Sequence, residues 1–234
     1  LVFPDHSSLI THHSSTMVAR GYELTNIVEA RCVEKEVAAG DFDNGAWARA
    51  RAAHLTRYWS GEDAPPERRA EARVLWDSHA LTVRFDCRQS EPLVIADAPR
   101  LERKTIGLWD RDVCEIFITP EQAEIKHYFE FEVAPTGEWI DLALTVRPQG
   151  RETDWDFNSG MTAAARAGKD SVTLGMRVPW KALGHTPRAG ERWRCNLFRC
   201  VGRDPMRGYL AWQPTHTPEP SFHVPEKFGW IVFK

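Results

Sequence analysis

No apolar run in this sequence approaches the roughly 18 residues that a membrane-spanning helix requires, so a helical span is not expected. Charge of one sign is not in excess either. Thirty basic and 33 acidic side chains are interspersed, for a net charge of −3. A nucleic-acid partner would call for a basic patch, and none stands out. Three arginines, Arg49, Arg51 and Arg57, are followed closely by Glu62, Asp63 and Glu67, which reads as a solvated face. The five cysteines contain no C-x-x-C pair of the zinc-binding kind. Cys195 and Cys200 sit on one expected strand and point to opposite faces, so they should not bridge each other. Buried free thiols are the expectation. No G-x-S-x-G occurs, and no serine carries a recognisable His and acid pattern. The start at Leu1 has neither a positively charged n-region nor a clear h-region, as would also hold for a mature secreted chain. No repeat and no internal linker break the sequence.

What is present is ordinary in bulk and unusual in one respect. Hydrophobic residues make up 42% and charged residues 27%, enough for a sizeable core in one large domain. Ten tryptophans are the outlier, a mild pointer to a carbohydrate or aromatic ligand. Residues 1–20 are polar, rich in Ser, His and Thr and aperiodic, so an extended or poorly ordered tail is expected there. Residues 21–234 read as a single domain.

Apolar residues recur with period two in nearly every segment. Tyr22 to Val37 supplies an opening strand, and His54 to Trp59 alternates again. Ala46 to Ala50 suits a short helix. Ala72 to Cys87 (ARVLWDSHALTVRFDC) is a hairpin signal around Asp77-Ser78-His79. Trp139 to Val146 continues from the turn Pro135-Thr136-Gly137. Arg147 to Gly160 is polar and holds Trp155. Met161 to Ala167 and Ser171 to Val178 are two further strands. Pro179 to Gly184 suits one helical turn. Trp193 to Val201, Tyr209 to Trp212 and Ile231 to Lys234 complete the set, the last closing the sheet. Many short strands with little helix predict an all-β fold: an antiparallel β-sandwich of jelly-roll type with a few short helical turns.

The chain is organised around Leu108 to Phe131 (LWDRDVCEIFITPEQAEIKHYFEF). Strands at Val113 to Ile118 and Tyr128 to Val133 form a hairpin across a polar loop carrying Pro120. Cys114, Ile116 and Ile118 share one face with period two, and Val113, Glu115 and Phe117 the other. Phe129, Phe131 and Val133 oppose Tyr128, Glu130 and Glu132. One face is therefore core, and the other carries carboxylates that can point to solvent or pair with Arg84 or Arg199. Trp109 stands just before the first strand, beside Asp110 and Asp112. An indole beside carboxylates can stack on a sugar while the acids bind its hydroxyls. An ordinary edge aromatic with solvated acids is the plain alternative.

Four blocks in order resemble carbohydrate-binding module family 9. They are ARVLWDSHALTVRF; LWDRDVCEIFI with YFEFEVAPTGEWID; VPWKALG with WRCNLFR; and YLAWQPT with FHVPEKFGWIVF. Together they span about residues 70 to 234. The resemblance implies a β-sandwich that binds sugars and does no chemistry. It implies two aromatic rings closing on a terminal glucosyl or xylosyl unit of a plant-type polysaccharide or oligosaccharide. Trp109 matches the first ring, and Phe222 falls where well-studied members carry a second tryptophan. Glu115 matches a sugar-contacting carboxylate, whereas Glu130 falls near a position where those members have an arginine. The resemblance further implies a secreted or periplasmic protein, a role in polysaccharide degradation, and company with a catalytic domain in a larger protein.

A β-glucosyl ring offers two apolar faces and a polar rim, so rings and hydrogen-bonding groups together bind it. The rim candidates are Asp112, Glu115, Glu130, Asn196 and Gln213. For Asn196 the competing reading is strand-edge hydrogen bonding. No cofactor is required. A structural calcium ion, which the resemblance also implies, would sit away from the sugar on hard donors such as Asp41, Asp43 and Asn44 in DFDNG, although those residues also make a plain turn. Two rivals come from other classes. A glycoside hydrolase would use Glu115 and Glu130 as its carboxylate pair. A haem-binding sandwich would need an axial pair drawn from Met161, Met176, Met206, His127 and His223.

Overall fold

The structure, a computed structural model, describes residues 26–120 and 125–234. The tail expected over residues 1–20 lies outside the described residues. Fourteen strands form one long sheet. In chain order they are β1 (Ile27–Cys32), β2 (Ala53–Leu55), β3 (Arg57–Tyr58), β4 (Ala70–Trp76), β5 (Ala80–Arg88), β6 (Val113–Thr119) and β7 (His127–Val133). They continue with β8 (Trp139–Arg147), β9 (Gly150–Asp154), β10 (Thr162–Ala167), β11 (Ser171–Pro179), β12 (Arg192–Val201), β13 (Gly208–Ala211) and β14 (Gly229–Phe233). Among the described residues helix is limited to the turn α1 (Trp180–Leu183) and four short 3-10 segments.

The strand order is β10-β11-β5-β4-β1-β14-β12-β6-β7-β8-β9, with β2, β3 and β13 branching from it. The sheet curls so that β7 approaches β10 and β11 across the main core. Val83, Phe85, Leu174 and Met176 fill that core from one layer, and Ile116, Ile118, Phe131 and Leu197 from the other. This is the expected sandwich. The expectation that fails is uniform antiparallel pairing. β1 runs parallel to both of its neighbours, β4 and β14. Nor does the last strand close an edge, because β14 lies between β1 and β12.

Local chemistry explains the elements. In β4, Ala72, Val74 and Trp76 face the core while Glu71 and Arg73 face out. Arg73 pairs there with Glu71 and with Asp86 of β5, and Arg84 also takes Asp86. The β4–β5 turn is fixed by Asp77, whose Oδ1 accepts the N–H groups of His79 and Ala80. Such a side-chain acceptor replaces a missing backbone partner in a tight turn.

β6 is buried along its whole length. Its second face packs a separate apolar layer containing Leu108, Phe117, Tyr128, Leu142, Phe198, Phe222 and Phe228. Leu108 begins the 3-10 turn that precedes β6, and Phe222 and Phe228 come from the segment between β13 and β14. The face expected to meet water is therefore roofed by loops.

Candidate functional site

The register of β6 and β7 places Glu115 directly opposite Glu132, and Phe117 opposite Glu130. Alternation along each strand then brings three carboxylates to one face. Glu115, Glu130 and Glu132 are all buried, Glu132 completely. The solvent-facing position expected of these acids is corrected, and so is their pairing. Arg84 is engaged with Asp86. Arg199 lies across from Cys114 on β6 and donates to the carbonyls of Arg68 and Arg88 and to Gln89 Oε1.

Like charges directly opposite on a sheet repel, and burial compounds this. Burial, joined by the charge of Glu130, pushes the Glu115 carboxyl well up. Burial, with Glu115 and Glu130 beside it, does the same to Glu132. For Glu130 burial again raises the carboxyl, while Glu132 and Arg151 draw it back. Glu130 and Glu132 can share a proton with each other, but no N–H or hydroxyl donor reaches Oε2 of Glu130 or either oxygen of Glu132.

These three residues form the floor of a pocket of about 300 Å³. Trp109, Trp155, Tyr209, Phe222, His223 and Arg151 build its walls. Trp109 sits in the Leu108–Asp110 turn, entered through Gly107 at φ 82°, a left-handed conformation that glycine adopts without strain. One nitrogen of Arg207 ties down that turn, donating to the carbonyls of Trp109 and Arg111 at 2.7 Å each. Trp155 follows β9. Asp154 Oδ1 accepts the N–H groups of Asp156 and Phe157, which turns the chain and presents the indole. Trp109 and Trp155 meet with ring centroids 6.3 Å apart at 47°. Trp155 is 46% exposed, the one exposed indole of the ten. His223 Nδ1 shares a 3.0 Å bond with the Tyr128 hydroxyl. Burial, aided by Arg151, lowers its imidazole to about 3, so the ring is neutral at pH 7.

The structure gathers Trp109, Phe222, Glu115 and Glu130 around one pocket. Phe222 is not a free-standing ring, however. It is 8% exposed and stacks on Phe198 beneath the pocket wall. Asp112 does not reach the pocket. It is buried among loop amides, accepting from Gly202, Val94 and Gln89, and burial outweighs those donors to raise its carboxyl. Asn196 is also buried, pinning β12 to the strand's neighbour by donating to the Gln213 carbonyl and accepting the Gln213 N–H. Gln213 lines a different, broader groove with Arg194 and Phe228.

Sequence reasoning missed Trp155, Glu132, Arg151 and His223 as pocket residues. A tryptophan inside a polar stretch was the available signal for Trp155. Glu132 shared the period-two face of Glu130.

The DFDNG turn is exposed at Asp41 and Asp43 and bonded within itself and to one arginine. Asn44 donates to Asp41 Oδ2 and accepts from Ala46, and Asp43 holds Arg166 at 2.8 Å. No haem-type axial pair assembles among the described residues. Met161 and Met176 are packed in the main core, Met206 is exposed, and His223 belongs to the pocket on the other face of β7. His127 is exposed and bonded to Thr145.

Residues 39–234 match the family described as carbohydrate family 9 binding domain-like. A curated relative from Arthroderma benhamiae, described as an extracellular protein, is 25% identical over 186 residues, 73% of this chain and 81% of the relative. Among solved structures, a candidate carbohydrate-binding protein from Bacteroides uniformis superposes with a TM-score of 0.71 at 17% identity, covering 89% of this chain and 99% of that one. A family 9 carbohydrate-binding module from Caldicellulosiruptor kristjanssonii in complex with glucose gives 0.63 at 14% identity, covering 88% and 95%. The same organism's module in complex with cellotriose gives 0.61 at 13% identity, covering 89% and 93%.

Proposed function

Since this chain belongs to the carbohydrate family 9 binding domain-like family, we propose that it binds carbohydrate without transforming it. The ligand is a glucosyl or xylosyl unit of a plant-type oligosaccharide or polysaccharide, taken against Trp109 and Trp155. The carrying observation is the pairing of these two indoles on the wall of a pocket into which three glutamates, Glu115, Glu130 and Glu132, are gathered. Equatorial hydroxyls leave a pyranose with apolar C–H faces, which an indole covers, while carboxyl oxygens take the hydroxyl rim. Phe222 supports the wall from below instead of forming the second ring. Each ring contact contributes on the order of 1 kcal/mol, so micromolar to millimolar affinity is expected.

Catalysis by Glu115 and Glu130 fits this geometry poorly. A glycosidase places its two carboxyls on either side of a scissile bond. Here all three acids crowd one floor, on adjacent strands. The Arthroderma relative is described as extracellular, and we read this chain too as secreted or periplasmic, a binding module serving polysaccharide degradation beside a catalytic domain.

The test is a calorimetric or tryptophan-fluorescence titration with glucose, cellobiose, xylobiose and longer oligomers. Trp109→Ala and Trp155→Ala should each lose measurable binding, and an aryl-glycoside panel should show no turnover. If both variants bind a confirmed ligand as tightly as the parent does, the ring assignment falls.

A further inference from the structure

We propose that Glu115, Glu130 and Glu132 hold a divalent cation of the calcium class at the floor of the pocket. One oxygen from each carboxylate lies within 4.8 Å of the others. That span equals about two calcium–oxygen bonds of ~2.4 Å, so a single ion can reach all three. Calcium takes oxygen donors in irregular arrangements, as a floor built from two strands would offer.

The orphaned oxygens are an independent observation. Glu132 is fully buried, and no N–H or hydroxyl donor reaches either of its oxygens or Glu130 Oε2, so the two carboxyls have only each other and a shared proton. A buried carboxyl left without donors or a counter-charge is strongly disfavoured. Among the described residues no lysine or arginine is in ion-pair contact with the three acids. The nearest basic atom is Nδ1 of His223, 3.9 Å from Glu130 Oε2 and already bonded to the Tyr128 hydroxyl. Arg151 lines the pocket from β9 and is exposed. Arg199, which could have neutralised the floor, is committed on the opposite face of the sheet. The protein thus crowds three carboxyls into one buried place and gives them no lysine or arginine in direct contact, Arg151 and Arg207 acting only from a distance.

The ion's remaining coordination positions face the pocket, where two neighbouring hydroxyls of a sugar can occupy them. This second half rests on the carbohydrate-binding reading; the ion site does not.

The test begins without sugar. Metal-stripped protein is titrated with calcium, magnesium, manganese and zinc chlorides, followed by calorimetry and melting temperature. Calcium should bind saturably, one ion per chain, and raise the melting temperature. Glu132→Gln should weaken that binding by more than about tenfold, the scale seen when a metal site loses a supporting group. The same loss in Glu115→Gln guards against a folding defect peculiar to position 132. If none of the four ions raises the melting temperature, protons hold the triad and the proposal is overturned. Undiminished calcium binding by folded Glu132→Gln and Glu115→Gln also overturns it.

Sugar titrations are then run in calcium and in chelator. Affinity about tenfold or more weaker in chelator supports the bridging role. Equal affinity in both overturns bridging and leaves the carbohydrate reading standing. Calcium binding with no sugar bound in either buffer overturns the carbohydrate reading and leaves the ion site standing.

Discussion

Phe222 lies flat on Phe198, with ring centroids 4.0 Å apart and planes 11° from parallel. Tyr209 meets the edge of Phe222 at 6.2 Å. Phe222 therefore joins the pocket wall to the apolar layer behind it, and its contribution is first to stability. Phe222→Ala should cost about 3–5 kcal/mol, the usual range for emptying a buried aromatic site. Phe222→Trp should cost about 1–3 kcal/mol by overpacking against Phe198. Urea denaturation measures both. A tryptophan variant as stable as the parent would mean that the ring has room to turn outward.

Arg207 holds the Trp109 turn from below, with a third bond from Nη1 to the Gly202 carbonyl at 2.9 Å. Arg207→Ala should lower stability by about 1.5–3 kcal/mol, the range for hydrogen bonds to a charged group. It should also weaken sugar binding, because the Trp109 ring loses its fixed position. Arg207→Lys should not restore the affinity, since an ammonium lacks the planar fork that reaches several carbonyls at once. The dissociation constants of the three proteins decide the matter.

Asp77 and Arg177 form a buried ion pair at 2.8 Å, and Glu36 lies 3.4 Å from the same guanidinium. Burial opposes the charged form of Asp77, but Arg177 and the N–H groups of His79 and Ala80 hold its carboxyl below the usual range. A depressed carboxyl contributes stability above its unfolded value of about 3.9 and loses it as pH falls through the lower folded value. The parent should therefore shed stability below about pH 4. Asp77→Asn should flatten that part of the profile. Asp77→Ala should cost up to about 3–5 kcal/mol at pH 7, since it leaves the buried guanidinium only the exposed Glu36 as a counter-charge. Melting temperatures from pH 2 to 7 test the shape.

Of the five cysteines, Cys32 is exposed and Cys87, Cys114, Cys195 and Cys200 are buried. Burial also pushes the Cys195 and Cys200 thiols up, which suppresses the reactive thiolate. Native reduced protein should react with a thiol reagent at Cys32 alone, and the others should follow only after unfolding. Peptide mapping of the label identifies the site. Rapid native labelling of Cys195 or Cys200 would contradict their placement.

The sequence disclosed the parts of this fold that alternate against a single core. The β4–β5 and β6–β7 hairpins, the α1 turn and the opposed orientations of Cys195 and Cys200 all follow from period-two patterning. It concealed β9, because Gly150–Asp154 is an edge strand with no apolar side chain to signal a face. It also concealed the burial of the acids. Whether Glu130 and Glu132 meet water depends on the segment carrying Phe222 and Phe228, nearly a hundred residues away, and alternation in β7 has no access to that. Trp109 could be placed near acids because sequence neighbours put it there. Trp155 could not, because its partnership with Trp109 is made by tertiary structure alone.

The slotting of β14 between β1 and β12 also bears on how the chain is made. β1 takes its register from Trp230 to Phe233 on one side and from Val74 to Trp76 on the other. During synthesis β1 and β12 therefore wait with open edges until Gly229–Phe233 has emerged. Such long-range pairing is slow to form, and unpaired edges recruit other chains while they wait. Until β14 docks, β1 is held on one side only, by β4, and the gap beside it would admit a strand of another chain as readily as its own.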